Sequence, residues 1–197
     1  MATIRLASPD DAADCAAIYT PVVRETAISF EERPPSVDEL RERLVAKSER
    51  YPWLVCEHEG EVLGFSYAGS FRGRDAYRWS AEATVYVDEA HQRAGVATAL
   101  YASLFEVLRL QGFYSAYAVT ALPNPASVGL HESVGFEPVG EFPRVGFKHG
   151  EWHDVRVWRL ALRPPDDDPA APTSMTELAG SAALRGAIRS GFDALSI

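Results

Sequence analysis

Cysteine is nearly absent from this chain: Cys15 and Cys56 are the two present, far apart and in no metal or redox spacing. A disulfide framework and a cysteine-based zinc site are therefore not expected, and two reduced, partly buried thiols are. Positive charge is also scarce. The formal net charge is −9, and lysine occurs only at positions 47 and 148. Phosphate backbones are gripped by concentrated positive charge, so nucleic acid is not expected as a partner. No long uncharged apolar run occurs, and the opening MATIRLASPDD has no apolar signal-peptide core before it turns acidic. A soluble, cytoplasmic protein with no membrane partner is the expectation. Internal repeats are lacking as well.

What is there suits one domain with a substantial core and a short appendage: 197 residues, 47% hydrophobic and 11% aromatic. Residues 3–7 read as a first strand. Ser8, Pro9 and Asp11 then open a helix expected to stop near Pro21. Ser36 and Glu39 form a capping-box pattern before a helix with Leu40, Leu44 and Val45 as its apolar stripe. Residues 53–57 and 62–68 read as a hairpin turning at His58-Glu59-Gly60-Glu61, and 82–87 as a third strand rich in β-branched residues. Residues 96–110 make a long helix closed by Gly112, followed by a strand over 114–120 and a short helix over 126–134. Two strands around Lys148-His149-Gly150-Glu151 close the pattern. The order predicts an α+β (mixed α/β) fold with a sheet of about six to seven strands. After Leu162 the composition changes. Residues 1–162 are assigned to the domain, 163–174 to a Pro/Asp-rich linker and 175–197 to an appendage. The appendage reads equally as disordered or as a weak amphipathic helix carrying Leu178, Leu184, Ile188, Phe192 and Leu195.

Chemistry concentrates where the third strand meets the long helix. In HQRAGVATAL a small-residue loop leads into a helix N-terminus, where unpaired N–H groups and the helix dipole favour an anion. Gly95 lets backbone approach a phosphate, Ala97 does not obstruct it, and Arg93 adds a charge. In the preceding strand, period-two alternation sets Glu82, Thr84 and Tyr86 on one face and Ala83, Val85 and Val87 on the other. A glutamate within a strand beside such a loop is unusual, since Glu is depleted in strands and seldom buried without a partner.

Gln92-Arg93-Ala94-Gly95-Val96-Ala97 resembles the Q/R-x-x-G-x-G/A pyrophosphate motif of the GNAT superfamily, and NPASVGLHESVGF resembles its second signature. YPWLVCEHEGEVLGFSYAG, AYRWSAEATVYV and GFKHGEWHDV are similar to segments of the phosphinothricin and methionine sulfoximine acetyltransferases within it. The resemblance covers roughly residues 3–162. It implies a GNAT fold, with a mostly antiparallel twisted sheet flanked by helices, and acetyl-CoA as acetyl donor between splayed strands. Arg93, Ala94, Gly95, Val96, Ala97 and Thr98 would hold the pyrophosphate, and Asn124 would stand near the pantetheine. Val85, Tyr86 and Val87 would lie along the coenzyme, with a strand bulge there presenting an oxyanion N–H. Glu82 corresponds to the base that takes the amine proton. His131 stands where many GNAT enzymes carry tyrosine, as acid for coenzyme A, base for the amine, or structural residue. Phe30, Arg72, Arg74, Tyr77 and Tyr86 match positions lining the acceptor pocket, with Arg72 replacing a lysine of the subgroup. A pair of arginines suits an amino acid with a second acidic group. The resemblance also implies a homodimer. Cys56 carries no mark of an activated nucleophile, and His149 and His153 flank a turn without further ligands, so no metal is expected. The expected reaction is transfer of acetyl to the α-amino group of a small amino acid. A protein N-terminus is the alternative acceptor, and a silent acyl-CoA-binding module the alternative class.

Overall fold

The computed structural model describes residues 2–195, so the two last residues of the expected appendage lie outside the described residues. Strand β1 (Thr3–Leu6) leads to helix α1 (Ala12–Glu25) through a tight acidic turn. There the Ser8 N–H donates to Asp11 at 2.6 Å, and Arg5 grips both Asp11 oxygens at 2.8 Å. Helix α1 does not stop near Pro21. Proline removes one N–H from the ladder, but Val23, fully buried within the last turn, anchors the helix as far as Glu25. The Thr26 hydroxyl then closes that end by donating to the Val22 carbonyl at 2.5 Å.

Helix α2 (Val37–Ser48) opens on the expected capping box, with Glu39 N–H donating to Ser36 Oγ at 3.2 Å and Ser36 N–H to Glu39 at 2.7 Å. Strands β2 (Trp53–His58) and β3 (Glu61–Ser70) form a hairpin whose turn places Glu59 at φ 52° and Gly60 at φ 86°, as a primed turn requires. Then follow β4 (Ser80–Val87), α3 (Val96–Gln111), β5 (Ser115–Leu122), α4 (Pro125–Ser133), β6 (Glu137–Lys148) and β7 (Glu151–Ala161).

The seven strands form one open sheet in the order β1-β2-β3-β4-β5-β7-β6, antiparallel except between β4 and β5. Helix α3 covers one face, burying Leu100, Leu104, Leu108 and Phe113 with Trp158. Helices α1 and α2 cover the other, over Trp53, Val55 and Phe65. Cys15 and Cys56 belong to the two different clusters and are both free. Burial pushes their thiols up to about 12 and about 11, so neither is an activated nucleophile.

One feature of the sheet positions the site. Strands β4 and β5 pair only at Ser80↔Ser115, Ala81↔Ala116 and Glu82↔Tyr117. Beyond Glu82 they part, and β4 keeps its pairing with β3 alone, through to Gly64↔Val87.

The segment after Leu162 is held along its length. Arg163 donates to the Tyr114 hydroxyl at 2.6 Å, Trp79 to the Ala170 carbonyl at 2.8 Å, and Gln111 to the Thr173 carbonyl at 2.8 Å. Two short helices, α5 (Met175–Leu178) and α6 (Ala182–Arg189), stand where the sequence reads equally as disordered or as one weak amphipathic helix. Gly180 at φ 72° breaks the path, and Ser181 caps the new start. Met175 and Leu184 are buried against Val107 of α3. Ser103 Oγ donates to the Ile188 carbonyl at 2.6 Å and accepts from Gly191 N–H at 3.2 Å.

Candidate active site

The divergence of β4 from β5 opens a cleft of about 490 Å³. Val85, Tyr86 and Val87 wall it from β4, Arg93, Gly95, Val96, Ala97 and Thr98 from the loop and start of α3, and Asn124 and His131 from around α4. Ala94 does not line it and instead packs against the core. Gly95, at φ 80°, turns the chain into α3, and no side chain among the described residues caps that helix start. The first-turn N–H groups are thereby left for an anion. Arg93 stands exposed at the rim with φ 64°. Asn124 Oδ1 accepts from Ser127 N–H at 3.1 Å, so this side chain caps α4 while lining the cleft.

No bulge interrupts β4. Its register with β3 runs unbroken from Ser70↔Ala81 to Gly64↔Val87, which corrects the expected bulge at Val85–Val87. The edge of β4 that faces the cleft is free because β5 has turned away, a longer-range cause that the strand's own residues do not encode.

His131 is 4% exposed, stacked on Trp158 with centroids 5.5 Å apart. Its Nδ1 lies 2.7 Å from the Ser127 carbonyl. A carbonyl only accepts, so Nδ1 carries the proton and Nε2 accepts from the Tyr101 hydroxyl at 3.3 Å. Burial lowers the imidazole pKa, with the Ser127 bond opposing it, so the ring is neutral near pH 7. Tyr101 also lines the cleft, and burial raises its phenol.

Glu82 lies on the same β4 face as Thr84, which lines the cleft, and Tyr86. It is half-buried, with its backbone paired to Gly69 on one side and Tyr117 on the other. Burial raises its carboxyl pKa, and the Lys47 and Arg72 cations pull it partly back.

A splayed strand pair, a glycine-led helix start and a half-buried strand glutamate thus meet around one cleft. Residues 4–157 match the acetyltransferase (GNAT) domain family model. The chain belongs to the GNAT acetyltransferase family. It is 43% identical over 160 residues to the phosphinothricin N-acetyltransferase of Streptomyces viridochromogenes, covering 80% of this chain and 87% of that one. It is 37% identical over 177 residues to the L-methionine sulfoximine/L-methionine sulfone acetyltransferase of Salmonella typhimurium, covering 86% and 98%. The crystal structure of a Sinorhizobium meliloti GNAT phosphinothricin acetyltransferase in complex with acetyl-CoA superposes with a TM-score of 0.81 at 32% identity, covering 88% and 98%.

As a GNAT enzyme the chain is an acetyl-CoA-dependent acyltransferase, and its residues fit that donor: free helix-start amides for phosphate and a free strand edge for an amide-bearing arm. On the acceptor side the expected residues part company. Arg72 lies over the Phe71 ring at 5.1 Å and acts on Glu82. Phe71 stacks on Tyr117 at 4.0 Å and meets Tyr77 edge-on at 6.1 Å. Arg74 sits exposed ahead of a 3-10 turn, Asp75–Tyr77, and is not drawn to Glu82. Tyr86 packs between Tyr19 and Phe65, with centroids at 4.8 and 5.4 Å.

Phe30 packs on Gly146, its ring 2.2 Å from where a Cβ there would stand. The β6–β7 turn clips the loop that carries it. Buried Lys148 donates to the Val23 and Ser29 carbonyls at 2.7 and 2.6 Å, and His149 lies 3.2 Å from the Thr26 carbonyl. Ile28 of that loop lines the cleft. Sequence reasoning missed Tyr101, which reads as another apolar position of α3, and it missed Lys47. The scarcity of lysine was the one signal that could have singled out Lys47.

Proposed function

We propose that this enzyme transfers acetyl to the α-amino group of a small amino acid with a second polar or acidic group, such as phosphinothricin or methionine sulfoximine. The observation that carries the reading is Glu82, a strand carboxylate raised by burial and flanked by cations, on the strand that walls the cleft. The activities named for its relatives support the acceptor class. Acetyl-CoA supplies the acyl group when bound.

An α-ammonium has a reference pKa near ~8, so a base must take its proton near neutral pH. Glu82 takes it, and its raised pKa brings it nearer to the task. The free edge of β4 over Val85–Val87 offers N–H to the carbonyl oxygen as charge develops. Arg93 and the first amides of α3 hold the phosphates. At the leaving sulfur the proton comes from Tyr101, whose bond to His131 is long at 3.3 Å while Nδ1 is committed to Ser127. Arg72 and Phe30 bound the acceptor, with Arg74 and Tyr77 at its outer loop.

The enzyme acts in the cytoplasm as a homodimer in this reading. Two free buried thiols suit a reducing compartment. Edge strand β6 and its neighbour β7 leave Val139, Phe142, Val145, Phe147 and Trp152 exposed, a face suited to a second copy and readable as mass by light scattering. The deciding experiment follows coenzyme A release across a panel of amines. Phosphinothricin and methionine sulfoximine should give the highest kcat/KM, and faster turnover of a peptide N-terminus than of every small amino acid would replace the acceptor assignment.

A further inference from the structure

Lysine 47 stands in the last turn of α2, half-buried on the same sheet face as Glu82. Its Nζ lies 4.3 Å from the centroid of the Tyr67 ring. It also lies 3.3 Å from where a Cβ on Gly69 would stand, and Gly69 is the cross-strand partner of Glu82. The glycine is what lets the ammonium settle beside the carboxylate's strand. Every arginine on α2 or in the approach to it has a carboxylate: Arg33 with Glu39, Arg41 with Asp38, Arg43 with Glu31. Lys47 has none within 4.0 Å among the described residues, Glu82 included, although the two charges act on each other. The other lysine, Lys148, spends its ammonium on backbone carbonyls.

A half-buried cation with no carboxylate of its own costs desolvation, which lowers its pKa, and an incoming anion would offset that cost. The chemistry of the acceptor says which anion. In an α-amino acid the carboxylate and the amine hang from the same carbon. If Glu82 receives the amine proton, the carboxylate must fall within a few Å of Glu82, where like charges repel unless a cation stands by. Arg72 comes from the far loop, where it suits the distal group of the acceptor.

We propose that Lys47 is a specificity-determining residue that binds the α-carboxylate of the acceptor, restricting the enzyme to free α-amino acids over neutral amines. This rests on the small-amino-acid reading above.

The test measures kcat/KM of wild type, Lys47→Met and Lys47→Arg on L-phosphinothricin, L-methionine sulfoximine and their α-carboxamides. Methionine keeps the apolar stem over Tyr67 and removes the charge. For the free acids Lys47→Met should lose about 10–100-fold, mainly through KM, as expected for one charge-assisted contact. For the carboxamides the loss should be several-fold smaller, only what Glu82 loses with its Lys47 neighbour, and Lys47→Arg should restore part of the loss on the free acids. An unchanged acetyl-CoA Kd and melting temperature would establish that the variant is folded. Equal losses on acid and amide would mean that Lys47 acts only through Glu82 and would overturn the proposal, as would no loss on either. Wild type failing on all four compounds would overturn the amino-acid reading itself, and that result is visible before any variant is made.

Discussion

Replacing Glu82 by glutamine separates two consequences of one half-buried carboxylate. The amide keeps the shape and the backbone pairings to Gly69 and Tyr117, and removes the proton acceptor. A general base contributes about 10²–10⁴-fold. The structure favours a loss near ~10³-fold in kcat, or ~4 kcal/mol of barrier, because no neighbour is placed to replace it. His131 holds its Nδ1 proton against Ser127 and turns Nε2 to Tyr101, so it has no free basic nitrogen for the amine. Steady-state assays of coenzyme A release from pH 5 to 9, paired with calorimetric binding of acetyl-CoA, would measure both halves. Wild-type kcat/KM should rise with pH through the elevated Glu82 pKa, and the variant should lose that limb while binding acetyl-CoA normally.

Stability should move the other way. Burial raises the Glu82 pKa, so the folded protein holds this proton more tightly than the unfolded chain does. The contribution of this group to stability is complete below its ordinary value of 4.5 and declines as pH rises through the raised folded value. Glutamine has no such decline. Glu82→Gln should therefore melt above wild type at neutral pH and lose that advantage below about pH 4. Turnover within threefold of wild type at pH 7, or a variant that melts lower at neutral pH, would refute the reasoning.

The arginines of the outer loop should separate: Arg72→Ala should cut acceptor kcat/KM by about 10–100-fold, and Arg74→Ala by less than about threefold, because of these two only Arg72 acts on Glu82. Tyr101→Phe and His131→Gln should each lower kcat by about tenfold or more without changing the acceptor KM. The double variant should be little worse than either, as expected for one hydrogen-bonded unit tested by a mutant cycle. Gly191→Ala would place a Cβ 2.0 Å from the Ala99 carbonyl and 2.6 Å from Ser103 Oγ. Limited proteolysis should then cut the chain after Arg189 far faster than in wild type, while the sheet core remains protected.

Sequence legibility followed the range of the forces involved. The Ser36–Glu39 box, the Glu59-Gly60 turn and the shared face of Glu82, Thr84 and Tyr86 are decided within a few residues, and each could be read directly. The helix passing Pro21 depends on the burial of Val23 against a remote cluster, and the stop expected there was wrong for that reason. Arg72 and Arg74 look equivalent in the chain. They differ in space because Phe71 is pinned on Tyr117 and a 3-10 turn carries Arg74 away. Gly95 shows the limit most clearly. Its small size reads as room for a phosphate, and its cleft side does line the proposed coenzyme site. A Cβ there, however, would stand 2.2 Å from the Ala194 carbonyl, in a segment whose docking local pattern left undecided. One glycine thus meets three demands: a left-handed helix start, an open wall toward the cleft and close contact with the C-terminal segment. A bulky residue at position 95 would disturb all three together, and a raised KM for acetyl-CoA would not say which had failed. Arg93→Ala probes the cleft rim, and Gly191→Ala unseats the C-terminal segment from α3, and with it the contact on Gly95, while every residue of the loop is kept. The loop is a phosphate site in its own right if the first raises the acetyl-CoA KM and the second does not.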